Sequence, residues 1–333
     1  MKKLASALAA VALLTLTACG SGSPSGSSTS GAPSSVASGA AAGLEKSSIE
    51  VGVIPIVDVA PIYLGVQEGL FKKEGLDVKL TLAQGGAAIV PAVTSGQMDF
   101  GFSNVTSLIV GRQKGLPLKI IAAGPQTTGD EKNDFAAVVT KADSGIKDIK
   151  ALEGKKVGVN TLANISDSTV SEAVKEAGGD PSKVQFVEMA FPDMPANLAK
   201  GNVDAIAAVE PFVTLAKNDG AVPVFSNYAY PVKDLMVATY FTSDQYVQQN
   251  PKTVAAFTKA MKASQQFAQD NPDKVRAVLS TYTKIDPAVA AKLTFPKFPQ
   301  EVNKESTQKI AEISKERGLI PELPEMNALL PTE

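Results

Sequence analysis

The sequence predicts a two-lobed α/β fold in which each lobe is a mostly parallel β-sheet flanked by helices. Strand-like and helical patterns alternate in two series, as expected for parallel βαβ units. Two other apolar runs, 135–140 and 235–241, lie between and after these series, and we expect them to cross between lobes. The alternative is that both are ordinary strands of one sheet. A glycine–polar–apolar–aspartate–apolar turn occurs in both series, at 96–100 and 201–205, so the lobes share one plan.

The first series begins with a β-branched run typical of a buried strand. Its predicted strands cover 49–56, 76–82, 98–102 and 118–123, and its predicted helices cover 58–73, 87–95 and 103–114. Asp58 precedes Pro61, a residue suited to the first turn of a helix. Gly75 ends that helix.

The second series repeats this alternation and is followed by a helical tail. Its predicted strands cover 156–160, 184–189 and 203–209, and its helices cover 166–177, 195–200 and 211–217. The predicted tail helices cover 251–269, 272–281, 287–293 and 301–317, and proline begins three of them. We expect this tail to pack on the first lobe. The first lobe is therefore predicted to comprise 44–138 and 237–333, and the second 139–236.

The first 43 residues have the sequence pattern of an export signal followed by a tether. Two lysines precede an apolar run that is too short to span a bilayer, which predicts a signal peptide over 1–18. The run ends in Leu16-Thr17-Ala18-Cys19, which resembles the lipobox of bacterial lipoproteins, so we expect Cys19 to carry lipid. An ordinary signal peptide with a chance cysteine is the alternative. Residues 19–43 are rich in serine, glycine and alanine and predict a flexible tether.

Composition removes several classes of enzyme and partner. The chain has no histidine, which is the commonest general base and a frequent zinc ligand. Its one cysteine is the predicted lipid attachment site, which leaves no cysteine nucleophile and no internal disulfide. The formal net charge of −2 gives no electrostatic support for nucleic-acid binding. An enzyme built on carboxylates, serine or lysine stays open as an alternative, but we expect a protein that is not an enzyme and uses neither cofactor nor metal.

The segment APIYLGVQEGLFKKEGLDVKL (60–80) carries a family resemblance. It is similar to the A-P-x-Y…G-(F/L)-F-x-x-E-G-L-D-V signature of substrate-binding lipoproteins of bacterial ABC importers, the SsuA/TauA-like and NMT1-like group for nitrate, sulfonates, taurine and pyrimidine precursors of thiamine. Further matches follow in order at Gly85-Gly86, 95–101, 152–159, 201–205 and 210–212.

The resemblance implies a periplasmic-binding-protein-like fold of type II, whose two lobes close on a small molecule. It implies an extracytoplasmic monomer that is held at the membrane by lipid and delivers a sulfonate or a nitrogen heterocycle to ABC permease and ATPase components. Two alternatives are a family-related enzyme of pyrimidine metabolism and a solute sensor without an importer. The fungal synthases of the thiamine pyrimidine in this group depend on histidine, which this chain lacks.

The ligand is expected beyond the C-terminal ends of the strands, near helix N-termini, which offer N–H groups and partial positive charge. The candidate ligand-binding residues at these junctions are Asp58, Gly85, Gly86, Ser103, Asn104, Asn160, Thr161, Ser166 and Glu210. For most of these residues the alternative is a tight turn or a helix cap.

Glu210 ends an apolar strand directly before a proline, where an unpaired carboxylate is costly to bury. We expect it to accept hydrogen bonds from an amine or ring N–H of the ligand; a salt bridge or a role at the helix start is the alternative. Aromatic residues near the expected cleft, of which one or two are expected to stack on a flat ligand, are Tyr63, Phe102, Phe191, Phe212, Tyr228 and Tyr230.

Overall fold

Two five-stranded β-sheets form the centre of the protein in a computed structural model that describes residues 43–331. The predicted signal peptide, nearly all of the tether and Cys19 lie outside the described residues. The strands are β1 (Ser48–Val53), β2 (Asp77–Leu82), β3 (Phe100–Asn104), β4 (Leu118–Ala123), β5 (Ala136–Lys141), β6 (Lys156–Val159), β7 (Gln185–Glu188), β8 (Ala205–Val209), β9 (Ala221–Phe225) and β10 (Ala238–Ser243).

Helices flank both sheets. They are α1 (Ala60–Gln67), α2 (Leu70–Lys73), α3 (Gly86–Thr94), α4 (Val105–Gln113), α5 (Ile165–Glu176), α6 (Met194–Ala199), α7 (Phe212–Asn218), α8 (Asp244–Gln249), α9 (Pro251–Asp270), α10 (Pro272–Leu279), α11 (Pro287–Ala290), α12 (Lys304–Glu316) and α13 (Met326–Leu329). Within residues 43–331, none of these helices combines the length and the apolar character needed to cross a membrane.

The two sheets have the same strand order. The first is β2-β1-β3-β10-β4 and the second is β7-β6-β8-β5-β9. In the first sheet β1 pairs in parallel with β2 and β3, while β10 is antiparallel to both of its neighbours. In the second, β6 pairs in parallel with β7 and β8, while β5 is antiparallel to β8 and β9. Each lobe is thus a mostly parallel sheet with one reversed strand, and the predicted fold class is confirmed.

The chain crosses between the lobes twice, before β5 and before β10. The two crossing segments run side by side, because Thr127 N–H donates to the Leu235 carbonyl at 3.0 Å and Val237 N–H donates to the Pro125 carbonyl at 3.0 Å. The apolar runs expected to cross instead form β5 in the second sheet and β10 in the first. The expected lobe boundary at residue 138 therefore falls within β5.

The helical tail packs on the first lobe, and one aromatic stack illustrates the contact. Helix α9 lies against α1 and β4. Its Phe257 ring stacks on Phe100 of β3, with ring centres 4.1 Å apart. Both side chains are fully buried. Burying such rings supplies a large part of the hydrophobic stabilisation of a lobe.

The prediction of one continuous helix over 58–73 is wrong. The structure has a single 3-10 turn at Val57–Val59, then α1, then a break, then α2. The break lies at Gly69, whose φ of 70° is left-handed and ends the first helix. Strand β9 and helices α8 and α13 were not predicted.

The repeated aspartate turn has the same structural role in both lobes. Asp99 N–H donates to the Glu50 carbonyl at 2.9 Å, and the Asp99 carboxylate accepts from Glu50 N–H at 2.9 Å. In the second lobe Asp204 makes the same pair of bonds with Lys156, at 2.8 Å each. A threonine of the reversed strand completes each arrangement, because Thr242 donates to the Asp99 carbonyl and Thr140 donates to the Asp204 carbonyl, both at 2.6 Å. The repeat therefore joins the first, third and reversed strands of each sheet.

Asp99→Ala is expected to destabilise the first lobe. Asp99 is 6% exposed, and its loss leaves the Glu50 N–H and the Lys46 ammonium without their acceptor. An unsatisfied group of this kind costs about 1–3 kcal/mol, which corresponds to a melting temperature lower by several degrees. Thermal unfolding measures the effect, and the exposed Asp143→Ala is the control. Equal stability of the two variants would contradict this role for the turn.

Candidate functional site

A small cavity lies between the lobes, at the edge where the parallel strands of both sheets end. Its volume is about 20 Å³, enough for about one water molecule. Its polar lining residues are Asp58 and Asn104 of the first lobe and Asn160 and Tyr228 of the second. The apolar lining residues are Ile54, Ile56, Phe102, Ile165, Phe191, Val209, Val237 and Ala238. The position beyond the carboxyl ends of the strands is where open α/β sheets bind ligands.

A wider space lies beside this cavity and shares three of its lining residues. Its volume is about 320 Å³, and it lies between Leu82–Gln84 of the first lobe and Ala190–Asp193 of the second. The shared residues are Ile54, Ile56 and Phe191. Because sites for organic ligands usually enclose about 300–1,000 Å³, the lobes must part for such a molecule to reach the inner cavity.

Asp58 is the most unusual side chain of the cavity. It is 2% exposed, and its Oδ1 has no hydrogen-bond partner among the described residues. Burial, and to a smaller extent the nearby Asp134 carboxylate, raise the pKa of Asp58 to about 7. The alternative that Asp58 caps a helix finds no support, since neither the 3-10 turn nor α1 has a side-chain cap.

The start of α4 contributes Ser103 and Asn104. Asn104 caps the helix, because its Oδ1 accepts from Ser107 N–H at 2.9 Å and its Nδ2 donates to Ser107 Oγ at 3.0 Å. Ser103 Oγ is buried and has no partner within residues 43–331. It lies directly against Gly86, where an added Cβ would approach it to 2.1 Å. Gly86 is therefore required by close packing.

The start of α5 supplies the polar wall of the second lobe. Asn164 Nδ2 donates to Asn160 Oδ1 at 2.6 Å and to Thr161 Oγ1 at 2.8 Å. Across the cleft, a Cβ added to Gly85 would lie 3.3 Å from Asn160 Nδ2, so Gly85 and Asn160 face each other. Ser166 does not line the cavity; its Oγ lies 2.8 Å from the Tyr228 hydroxyl and positions that ring.

Glu210 is engaged by its own helix. Its Oε2 accepts from Thr214 N–H at 3.0 Å and its Oε1 accepts from Thr214 Oγ1 at 2.7 Å. The side chain is buried, which raises its pKa, and it does not line the cavity. These contacts match the alternative of a role at the helix start, and the ligand role of Glu210 stays a prediction. Its carbonyl instead joins the lobes by accepting from Val57 N–H at 3.1 Å.

The aromatic residues divide into two groups. Phe102, Phe191 and Tyr228 line the cavity, whereas Tyr63, Phe212 and Tyr230 do not. Sequence reasoning missed the aliphatic lining residues, since their pattern is that of any buried strand end. It also missed Asn164, although an asparagine three residues before Asp167 is a signature of a capping box.

Of the predicted ligand-binding residues, the structure thus brings Asp58, Asn104 and Asn160 to the cavity and places Gly85 next to Asn160. Ser166 lies behind Tyr228, Gly86 packs against Ser103, and Ser103, Thr161 and Glu210 do not line the cavity. Within residues 43–331, no group of three or more cysteine, aspartate or glutamate side chains is arranged to hold a metal ion.

Comparison with known proteins gives one family match. The profile described as NMT1/THI5 like matches residues 56–275. The formylaminopyrimidine-binding protein of Halalkalibacterium halodurans is 24% identical over 223 residues, 66% of this chain and 65% of that protein. A 4-amino-5-hydroxymethyl-2-methylpyrimidine phosphate synthase of Uromyces fabae is 24% identical over 285 residues, 79% of this chain and 80% of the synthase.

Solved structures show the same fold at low sequence identity. The alkanesulfonate-binding protein SsuA of Xanthomonas axonopodis pv. citri superposes with a TM-score of 0.72 at 15% identity, covering 86% of this chain and 99% of SsuA. The periplasmic nitrate-binding protein NrtA of Synechocystis PCC 6803 gives a TM-score of 0.73 at 16% identity, covering 86% of each chain. At these identities the likeness extends to the fold alone.

Proposed function

Because the chain belongs to the NMT1/THI5-like family, we propose that it is a substrate-binding protein that captures a small organic solute between its lobes and delivers it to an ABC importer. The observation that carries this proposal is the small cavity at the strand ends, with Asp58 on one lobe and Asn160 on the other. A solute held there touches both lobes, and its binding energy therefore favours the closed arrangement. The permease and ATPase of the importer are the proposed partners.

The two crossing segments suit a hinge. They lie side by side and are joined to each other by backbone hydrogen bonds, so both bend at the same place. In the closed arrangement, contacts such as Val57 with Glu210 and Gly85 with Asn160 bring the two walls together. Opening requires these contacts, and contacts of α5 with α4 and α12, to change while each sheet stays intact.

We further propose that the protein acts outside the cytoplasm as a monomer, anchored by lipid on Cys19. The support is the sequence Leu16-Thr17-Ala18-Cys19 behind an apolar run. The serine-, glycine- and alanine-rich residues that follow provide a tether between the anchor and the first lobe.

A screen of candidate solutes by thermal unfolding tests the proposed function. Residues 44–333 are mixed with sulfonates, taurine, nitrate, aminopyrimidines and flavin-like rings. A solute at about 1,000 times its Kd stabilises the protein by about 4 kcal/mol, which raises the melting temperature by roughly 8–16 °C. Asn160→Ala is expected to weaken the response, and exposed Asn202→Ala, far from the cavity, is the control. A panel without any shift would count against solute capture.

The relatives that are named as synthases support the alternative that the chain is an enzyme. The chain offers little for such chemistry, because it contains no histidine and its single cysteine is Cys19. We therefore propose binding without turnover. Mass spectrometry of a bound solute after prolonged incubation distinguishes the two, since an unchanged solute supports binding and a stoichiometric product supports an enzyme.

A further inference from the structure

We propose that the solute presents a positively charged nitrogen to Asp58, which makes this a site for amines, amidines and protonated nitrogen heterocycles rather than for oxyanions such as sulfonates or nitrate. This inference rests on the proposed function and specifies the charge of its solute. It concerns the cavity lined by Asp58, Asn104, Asn160 and Tyr228.

The region between the lobes is rich in buried carboxylates. Asp58, Asp134, Asp167 and Glu210 are each at most 5% exposed. Burial and, to a smaller extent, the carboxylates of Asp58, Asp134 and Asp167 raise the pKa of the Tyr228 hydroxyl in the cavity wall, so all three carboxylates lie near that wall. A ligand in the cavity therefore lies near carboxylates of both lobes.

Three of these four carboxylates are satisfied by the protein itself. Asp134 accepts from the hydroxyl groups of Thr127 and Thr128. Asp167 accepts from the Arg317 guanidinium and from Asn164 N–H.

Both oxygens of the Glu210 carboxylate accept from Thr214. Asp58 alone lines the cavity, and its Oδ1 is the carboxylate oxygen without a partner in the described part of the chain. A buried polar atom that lacks a partner calls for an explanation, and a ligand donor supplies one.

Positive charge for an oxyanion is lacking at this cavity. Among its described lining residues there is no lysine or arginine. Arg317, which contacts one of the buried carboxylates, is already bonded to Asp167 at 3.1 Å and to Ser168 at 2.8 Å. An anion buried here without a counter-charge, next to Asp58, would pay a large desolvation cost.

The N-termini of three helices, α4, α5 and α7, already have side-chain acceptors. Asn104 already accepts an N–H group at the start of α4. Asn164 accepts two N–H groups at the start of α5, and Glu210 accepts one at the start of α7. These donors are therefore used within the protein, and an oxyanion would have to displace a side chain to reach them.

The remaining lining suits a flat cation. Phe102, Phe191 and Tyr228 are lining rings, and ring faces attract cations. Asn104 and Asn160 each bond to a neighbouring side chain, and the remaining hydrogen-bonding capacity of their amides suits polar atoms at the edge of such a molecule. A charge-assisted bond from the ligand nitrogen to Asp58 is stronger than a neutral hydrogen bond, so it dominates the recognition.

A series of probes with one shape and three charges tests this inference. Benzamidine is cationic, benzamide neutral and benzoate anionic, and titration calorimetry with the purified protein compares their Kd values. We expect benzamidine to bind at least tenfold more tightly than benzamide, and benzoate to bind most weakly. Taurine, which carries an ammonium group, is likewise expected to bind more tightly than ethanesulfonate. Tighter binding of benzoate or ethanesulfonate than of its partner would overturn the inference and leave the proposed function intact.

Asp58→Asn makes the test specific to the carboxylate. In this variant the affinity for benzamidine is expected to fall at least tenfold while that for benzamide changes less than threefold; exposed Asp77→Asn is the matched control. An unchanged preference for benzamidine in Asp58→Asn would overturn the inference. If neither these probes nor any member of the solute panel binds, the proposed function fails, which is a separate outcome.

Discussion

Asp58→Asn is expected to be more stable than the wild-type protein at pH 8 and to lose this advantage near pH 4. The reason is the cost of burying an ionised carboxylate whose Oδ1 has no partner in the described residues. Burial raises the pKa of Asp58 in the folded protein to about 7, whereas its ordinary value is 3.8. Asparagine keeps the size of the side chain and removes the charge.

The direction of the pH dependence follows from proton binding. Below the ordinary value of 3.8, Asp58 is protonated in both the folded and the unfolded states. As the pH rises from 3.8 to about 7, the unfolded state loses the proton while the folded state keeps it. The folded state then binds more protons, so the free energy of unfolding falls with rising pH and levels off above pH 7. At 1.36 kcal/mol for each pKa unit between 3.8 and about 7, the loss is about 4 kcal/mol.

Urea unfolding at a series of pH values measures this effect. The difference in the free energy of unfolding between Asp58→Asn and wild type is expected to grow from near zero at pH 4 to its full value at pH 8. Because Asp134 and Glu210 also have raised pKa values from burial, the comparison is made between the variant and wild type at each pH. If the free energy of unfolding changes with pH in the same way in both proteins, then ionisation of Asp58 does not destabilise the folded protein.

This expectation connects stability with binding. A buried carboxylate without a hydrogen-bond partner lowers the free energy of unfolding of the ligand-free protein. A cationic ligand that bonds to Asp58 removes this cost and adds its own contacts. We therefore expect Asp58 to make closure of the lobes more favourable with a cationic ligand than without one.

The alternation of strands and helices was visible in the sequence because buried parallel strands are continuous β-branched runs. Strand β9 was missed for a physical reason. Its sequence AVPVF contains Pro223, which usually argues against a strand. β9 lies at the edge of the second sheet, beside β5 only, and an edge strand tolerates proline.

At the candidate site, the sequence indicates where polar residues lie relative to the strand ends, but it does not indicate their hydrogen-bond partners. Asp58 and Asn160 were candidates because they follow strands, and the carboxyl ends of the parallel strands lie at one edge of each sheet. Which of the two carboxylates, Asp58 or Glu210, is free to bind a ligand depends on Thr214. Thr214 lies on the next turn of α7 and donates hydrogen bonds to both oxygens of Glu210. The bond between Asp167 and Arg317 joins residues 150 positions apart, a separation at which sequence patterns carry no signal.

Helix α12 joins the hinge to both lobes. Near its start, Ser306 Oγ accepts from Met236 N–H at 3.0 Å and Asn303 donates to the Asp234 carbonyl at 2.9 Å, in the second crossing segment. Along its length it contacts α4 of the first lobe and α5 of the second. At its end, Arg317 donates to Asp167 and Ser168 of α5. A change at Arg317 therefore acts on the arrangement of the lobes.

Arg317 also supports the polar wall of the cavity through a chain of hydrogen bonds. Asp167, which it contacts, accepts from Ala163 N–H at 2.8 Å and from Asn164 N–H at 3.0 Å. This holds Ala163 at a φ of 53°, an uncommon conformation for a residue other than glycine. Asn164 in turn donates to Asn160, which lines the cavity.

Arg317→Met is expected to weaken solute binding at least tenfold although Arg317 does not line the cavity. Removing one member of a buried ion pair costs about 3–5 kcal/mol, and Arg317 is 18% and Asp167 5% exposed in their side chains, so most of that cost applies. Part of this free-energy cost is expected to lower the melting temperature. The rest is expected to loosen the start of α5, so that Asn160 is no longer held in place at the cavity. Titration with the best solute of the panel and small-angle scattering with and without it measure affinity and closure. Lys315→Met, an exposed charge loss on the same turn, is the control. If Arg317→Met lowers the melting temperature while affinity and closure match those of Lys315→Met, then Arg317 stabilises the fold without governing the cleft.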